Sequence, residues 1–291
     1  LKIASNKIKD IVRFFKNELE GIYDAGELET MIRYCVEEFC GIRSFSIIRN
    51  AEDTVSESEL LRFNFAVKDL KKLKPLQYVL GKADFYGLKF IVNENVLIPR
   101  PETEELVHLV ISDLRSSFDL NNLTILDIGT GSGCIPVTIK HKLPSVDVYA
   151  MDISEAALET AGKNAVLNET SVIFFQDDIL YPDYLKGAVN YDAIISNPPY
   201  IRISEKNTMH PNVLDNEPHL ALFVENDDAL LFYRKIAEYA KEKLKPGGII
   251  YFEINAALGP ETKLLIEENG FKNVILIKDI NNKNRILRGR L

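Results

Sequence analysis

Apolar residues recur every three or four positions through the first quarter of the chain: Ile8, Ile11, Val12, Phe15 and Leu19, then Leu28, Met31, Ile32, Cys35, Val36 and Phe39. Such stripes bury one face of each helix against its neighbours, so residues 1–75 are expected to form a small all-helical domain. A third helix should begin at Ser56. Ser56 and Glu59 have the spacing of a reciprocal capping box, and Val55 and Leu60 stand where a hydrophobic staple would bridge the same start. Pro75 closes this region.

From Gln77 to Val92 the helical period gives way to short segments around Gly81 and Gly87, which predict a β-hairpin linker over 76–98. In the following Ile98-Pro99-Arg100-Pro101-Glu102-Thr103-Glu104 the prolines restrict the backbone, so Arg100 can be aimed at a ligand, although a rigid linker with solvated charges has the same composition. After Leu123 strand and helix patterns alternate. Strands are expected near residues 124–128, 146–151, 172–175, 191–196, 249–254, 274–278 and 285–290, the last after a turn at Asn281-Asn282. Residues 99–291 are therefore expected to be an α/β domain, a seven-stranded and mostly parallel Rossmann-like sheet covered by helices on both faces.

The first of these strands runs directly into Gly129-Thr130-Gly131-Ser132-Gly133, with an apolar helix pattern behind it. Glycines remove the Cβ atoms that would obstruct a ligand, and the helix start offers unpaired N–H groups. Pro136 falls in the first helical turn, where a missing N–H costs little. The next strand ends in Asp152, 23 positions after Gly129; an acid there, about 20 residues on, can accept both hydroxyls of an adenosine ribose. Asp177-Asp178-Ile179 can frame the adenine. The loop reads Gly-x-Gly-x-Gly, not the Gly-x-Gly-x-x-Gly that cradles a pyrophosphate, and no Gly-Lys-Ser or Gly-Lys-Thr follows. S-adenosylmethionine, an adenosine cofactor without phosphate, fits this pattern best and would leave as S-adenosylhomocysteine.

The fourth strand delivers Asn197-Pro198-Pro199-Tyr200 at its carboxyl end, the edge where open α/β sheets bind ligands. Two prolines hold the backbone so that the Asn197 side-chain oxygen and the Pro198 carbonyl can face one point, with the flat ring of Tyr200 beside them. Two fixed acceptors suit a planar NH2 group, whose hydrogens they bind more tightly as positive charge develops on nitrogen. The expected reaction is methyl transfer to such a nitrogen, without a strong general base. A glutamine amide and the amino group of a base satisfy this geometry equally.

Composition narrows the partners. With 43 acidic and 35 basic residues the net charge is −8, which disfavours tight nonspecific binding to a polyphosphate chain, local patches such as Lys68, Lys71, Lys72 and Lys74 notwithstanding. No direct nucleic-acid partner is expected. Three cysteines and four scattered histidines fit neither a disulfide framework nor metal-ligand spacing, so no metal is expected, and Cys35 and Cys40 read as core. No apolar run approaches the about 20 residues of a membrane span. The start, Leu1-Lys2-Ile3-Ala4-Ser5, lacks the pattern of a secretory signal, so a cytoplasmic location is expected.

The chain resembles the HemK/PrmC family, which methylates the glutamine of the Gly-Gly-Gln loop in peptide chain release factors. The resemblance rests on Gln77-Tyr78-Val79-Leu80-Gly81, Phe85-Tyr86-Gly87, Val96-Leu97 with the Ile98 to Glu104 segment, residues 126–133, Asp152-Ile153-Ser154, Ser196 to Tyr200, Glu217-Pro218 and Ala221-Leu222. It implies a helical domain that helps dock the release factor, a hairpin linker and a seven-stranded methyltransferase domain. It also implies that Gly129 to Gly133, Asp152, Asn197 and the backbone of Ile179 hold the cofactor, and that Asn197 to Tyr200 hold the glutamine. Glu253-Ile254-Asn255 and Leu258 depart from the family's usual glycine and glutamine, and Pro136 from its usual small residue. The alternatives are a glutamine methyltransferase of a ribosomal protein, an adenine or cytosine amino-methyltransferase acting on DNA or RNA, and a regulatory module that binds the cofactor without turnover.

Overall fold

The amino-terminal apolar stripes lie on α1 (Ile8–Leu19), α2 (Ala25–Cys40) and α3 (Glu57–Leu70) in a computed structural model that describes residues 3, 5–42, 49–117, 119–183 and 189–291. Leu1, Lys2 and Ala4, part of the start used for the expectation about a secretory signal, lie outside the described residues. Local chemistry sets the helix ends. The Asp24 carboxylate accepts the Gly26 and Glu27 N–H groups at 2.8 and 2.9 Å, Gly41 closes α2 with φ of 67°, and Ser56 and Glu59 form the reciprocal capping box. Val55 and Leu60 both join the core of this unit. At its centre Phe63 meets Phe15 and Phe39 edge to face, with ring centres 5.8 and 5.0 Å apart. Cys35 is buried here and Cys40 packs against it; burial pushes their thiols up to about 12 and about 11, so neither is a ready nucleophile.

The segment after Pro75 differs from the expected hairpin. Leu76–Leu80 is a short helix, α4, and the hairpin begins only with β1 (Lys82–Phe85) and β2 (Leu88–Ile91). Leu76, Val79 and Leu80 have helical spacing and pack on the helical core, and Gly81 ends the turn with φ of 69°. The two hairpin strands are joined at Tyr86 and Gly87, whose φ values of 51° and 79° are both left-handed, as the twist of a two-residue hairpin requires.

The chain divides into two compact units: the described residues up to Gly81 together with Pro211–Asn216, which carries α8 (Pro211–Leu214), and the remainder from Lys82 onward. In the second unit α5 (Pro101–Ser117) precedes a sheet of β3 (Thr124–Ile128), β4 (Asp147–Asp152), β5 (Ile173–Gln176), β6 (Tyr191–Ser196), β9 (Leu244–Glu253), β10 (Lys272–Lys278) and β11 (Asn284–Arg290). The seven strands are ordered β10-β11-β9-β6-β3-β4-β5, and β11 runs antiparallel to both its neighbours. A separate small pair, β7 (Ile201–Arg202) with β8 (Phe223–Val224), follows the end of β6. The expected strands all form. β9 differs most, starting at Leu244 and not at Ile249: Leu244 pairs with Tyr191 and Ile249 with Ala193, so residues 245–248 bulge out opposite Asp192.

Alternate residues of each central strand feed opposite cores. Ile125, Ala193, Ile195, Ile249 and Tyr251 meet α5 and α6 (Cys134–Lys142), while Leu126, Ile194, Ile250 and Phe252 meet α9 (Leu231–Lys243) and α10 (Gly259–Glu268). α7 (Glu155–Leu167) flanks β4 and β5. Three layers result, with all parallel strands ending at one edge. Among the described residues no helix is long and apolar enough to cross a membrane.

Candidate active site at the carboxyl edge of the sheet

The order of β4, β3 and β6 in the sheet brings three loop systems to one cleft. Residues 129–132, Asp152, Asp178 and Ile179 line it together with Arg100 and residues 197–199. Its empty space, counted with the open solvent at the mouth, is about 1220 Å³. Gly133 and Tyr200 are not among the lining residues.

The glycine loop leaves β3 with Gly129, Gly131 and Gly133 at φ of 72°, 53° and 77°. The Gly129 and Thr130 N–H groups donate to the Met151 carbonyl at 2.9 and 3.0 Å, which ties the loop to the end of β4. Asp152 is pinned there as well: one carboxylate oxygen accepts the Gly131 N–H at 2.8 Å and the other the Ser154 N–H at 2.9 Å. Each oxygen retains lone-pair capacity for a ligand hydroxyl. Burial raises the Asp152 pKa, and these backbone donors oppose the rise. Gly133 acts as a spacer. A Cβ built on it would stand 2.9 Å from the Cβ of Ala161, so the start of α6 lies directly on α7. Pro136 is the third residue of α6, within its first turn, and interrupts nothing.

Thr130 lines the cleft, and Asp127 is buried at the end of β3 just before the glycine loop. Both carboxylate oxygens of Asp127 and the Thr130 hydroxyl are buried without a hydrogen-bond partner among the described residues. Burial foremost pushes the Asp127 carboxyl up to about 7; the nearby Thr130 hydroxyl opposes the rise and the Asp152 charge adds to it. A cation brought into the cleft would favour the ionised form of Asp127. An adenosyl sulfonium with an amino-acid tail supplies ribose hydroxyls for Asp152 and polar groups for the glycine loop, both of which line the cleft, so the residues present fit S-adenosylmethionine. Asp178 accepts the Leu180 N–H at 2.9 Å, and Ile179 is buried at the cleft wall.

At the end of β6, Asn197 donates its amide N–H to Thr103 Oγ1 at 3.2 Å, and Thr103 donates to Glu253 Oε2 at 2.7 Å. Tyr200 donates its hydroxyl to the other Glu253 oxygen at 3.0 Å and packs against the core beneath, so its ring is committed behind the cleft. Burial foremost, and then the Glu253 charge, raise the Tyr200 phenol above its ordinary range; burial likewise raises Glu253 itself. Asn255, one of the departures, accepts the Ala257 N–H at 3.0 Å and donates to the Tyr200 carbonyl at 3.1 Å, so this loop braces the tetrapeptide by its own route.

Arg100 does reach the cleft, but its guanidinium is paired. Nη2 lies 2.6 Å from Glu217 Oε1, and the second Glu217 oxygen accepts the Ile98 N–H at 3.3 Å. The Glu217 side chain is 1% exposed, so the pair is a clamp across the cleft rim more than a free cationic hand. Sequence reasoning missed Glu217, Glu253, Thr103 and Asn164 as participants. Asn164 of α7 accepts the Ile91 N–H at 2.6 Å and donates to the Ile91 and Ser132 carbonyls, both at 2.9 Å, joining hairpin, helix and glycine loop. The available signal was a polar residue inside an apolar stretch: Glu253 ends an uninterrupted strand, and Asn164 lies on the buried face of an alanine-rich helix. Among the described residues no group of three or more His, Cys, Asp or Glu side chains could hold a metal ion.

Comparison with known proteins bears on the whole chain. A family model described as the Methyltransferase small domain matches residues 107–220, and one described as the PrmC N-terminal domain matches residues 10–81. The chain is 46% identical to a release factor glutamine methyltransferase of Flavobacterium psychrophilum, over 97% of this chain and 98% of that one. A release factor glutamine methyltransferase of Bacteroides thetaiotaomicron is 41% identical over 95% and 98% respectively. A solved methyltransferase from Pyrococcus furiosus, 19% identical, shares the fold with a TM-score of 0.50 over 81% of this chain and 98% of that one.

Proposed function

The chain belongs to the release factor glutamine methyltransferase family, and we propose how its residues carry out that activity on the glutamine of a release factor's Gly-Gly-Gln loop. S-adenosylmethionine, when bound, supplies an electrophilic methyl group on a sulfonium and leaves as the thioether S-adenosylhomocysteine. Residues 129–133 and Asp152 hold the donor's amino-acid end and ribose, with Asp178 and the backbone of Ile179 beside the adenine. Asn197 Oδ1 and the Pro198 carbonyl accept the two hydrogens of the glutamine amide, Pro199 stiffens the loop, and Tyr200 anchors its far end on Glu253. Arg100, neutralised by Glu217, borders the acceptor entrance.

An amide nitrogen is a poor nucleophile because its lone pair is delocalised. Two fixed acceptors strengthen their hold on its hydrogens as charge builds up in transfer, which stabilises the transition state more than the ground state. One proton leaves the methylated nitrogen to water, and placement of nitrogen in line with the methyl supplies most of the acceleration. The observation that carries this reading is the meeting of residues 129–132, Asp152 and residues 197–199 in a single cleft.

Residues 1–75 would help dock the release factor, 76–98 would link, and 99–291 would perform transfer, in the cytoplasm where translation ends. The net charge of −8 supports a protein acceptor over a nucleic acid. The test is transfer of labelled methyl to a release factor, to its Gln→Glu variant and to nucleic acid. Only the first should be labelled, and Asn197→Ala should bind S-adenosylhomocysteine normally while transfer falls by about 10²-fold or more. Equal labelling of the Gln→Glu variant, or labelling of nucleic acid alone, would overturn the reading.

A further inference from the structure

The hydrogen bonds around Glu253 have a direction. A carboxylate carries no hydrogen to donate, so the two hydroxyls on it, Thr103 Oγ1 at 2.7 Å and Tyr200 Oη at 3.0 Å, must both be donors. Having given its single hydrogen to Glu253, the Thr103 oxygen can only accept on its other side. The partner there, at 3.2 Å, is the Asn197 side chain, which must therefore present its NH2 group to Thr103. An amide has one oxygen and one nitrogen on opposite branches. With the nitrogen turned to Thr103, Asn197 Oδ1 is turned away from it, and it accepts no hydrogen bond among the described residues.

We infer that the Glu253–Thr103 pair is a polarity relay that sets the Asn197 amide so that its oxygen, and not its nitrogen, meets the acceptor, making Thr103 and Glu253 positioning residues for an NH2-bearing substrate. Without the relay the two amide orientations of Asn197 differ little in shape, and the flipped one would offer a donor to a substrate that is itself a donor. Burial makes the relay rigid: Thr103 is 2% exposed and Glu253 1%. Burial raises the Glu253 carboxyl; the two hydroxyl donors, and Arg285 next to the residue paired with Glu253 across β11 and β9, oppose that rise and favour the ionised form on which the direction of the relay depends. The wiring crosses three elements: Thr103 in the first turn of α5, Asn197 after β6 and Glu253 at the end of β9. This inference rests on the acceptor role given to Asn197 in the preceding section.

The test compares Thr103→Val, which keeps the shape and loses the hydroxyl, with Thr103→Ser, which keeps the hydroxyl, and repeats Thr103→Val in an Asn197→Ala background. The readouts are kcat and KM for a release factor, S-adenosylhomocysteine affinity by calorimetry, and thermal unfolding. Thr103→Val should lower kcat by about ten- to a hundredfold with donor affinity within about twofold of wild type. Thr103→Ser should restore most of the rate, and in the Asn197→Ala background Thr103→Val should cost nothing further. Three results would overturn the relay: wild-type kcat in Thr103→Val, equal impairment in Thr103→Ser, or the same loss with and without Asn197. A wild-type protein that binds S-adenosylhomocysteine but labels no release factor would overturn the functional reading and the relay with it, an outcome distinct from the other three.

Discussion

Replacing Asn164 with alanine tests whether one buried side chain holds the donor site together. Asn164 is fully buried, and three backbone groups depend on it: the Ile91 N–H and carbonyl in β2, and the Ser132 carbonyl in the glycine loop. A buried polar group left unpaired costs about 1–3 kcal/mol, and partial entry of water returns some of that. The expected destabilisation is about 3–6 kcal/mol. For a unit of about 200 residues each kcal/mol moves the midpoint about 2–4 °C, so the unfolding transition of the second unit should fall by roughly 6–24 °C. Because one of the lost bonds restrains the loop itself, S-adenosylhomocysteine should also bind about tenfold more weakly at a temperature where the variant is folded. Asn164→Asp should not rescue. It keeps an acceptor for the Ile91 N–H but turns lone pairs toward two carbonyl oxygens. Circular dichroism melts and titration calorimetry provide both readouts. A loss under about 1 kcal/mol together with donor affinity within twofold of wild type would show that hairpin, helix and loop hold their places without this residue.

Gly133→Ala places a Cβ 2.9 Å from the Cβ and 3.2 Å from the Cα of Ala161 at φ of 77°; backbone cannot retreat as a flexible side chain would, so calorimetry should show donor affinity reduced at least about tenfold and unfolding a cost above about 2 kcal/mol. Arg100→Met strands the buried Glu217 charge and should cost about 3–5 kcal/mol in denaturant unfolding, most of it recovered in the double variant with Glu217→Gln, which still accepts the Ile98 N–H. Asp127 is carried by burial from its ordinary 3.8 to about 7, so between those values the folded chain holds a proton that the unfolded chain has released. Donor-free protein should therefore lose stability as pH rises from about 4 to about 7, by at most about 4 kcal/mol, and Asp127→Asn should remove that slope; an identical slope in both proteins would refute the assignment.

Much of the architecture was legible from local pattern. The period of apolar residues located α1 and α2, the Ser56 and Glu59 pair located the start of α3, and seven β-rich segments became seven strands. The Pro136 reading also held, because a proline in a first helical turn is a matter of counting from the glycine loop. The segment at residues 76–80 was misjudged. The short segments around Gly81 and Gly87 suggested a hairpin from there on, whereas Leu76, Val79 and Leu80 had the helical spacing that packs on the core. Arg100 was read either as aimed at a ligand or as a solvated linker charge, since nothing local indicates that Glu217, far along the chain, would close on it. Tyr200 was read as a flat face for the acceptor, while its hydroxyl is spent on Glu253 from a position outside the cleft lining.

By itself the sequence determined which residue types stand at the ends of β3, β4 and β6, because period, capping and proline geometry act over a few neighbouring positions. Only the tertiary structure decided how those types are wired. Sheet order brings Glu253 of β9 beside Thr103 of α5 and Asn197 after β6, and sets Asn164 under the glycine loop. The physical reason is that a hydrogen-bond direction, or the charge on a buried acid, depends on partners separated by tens to more than a hundred residues, which become neighbours only when the sheet has formed.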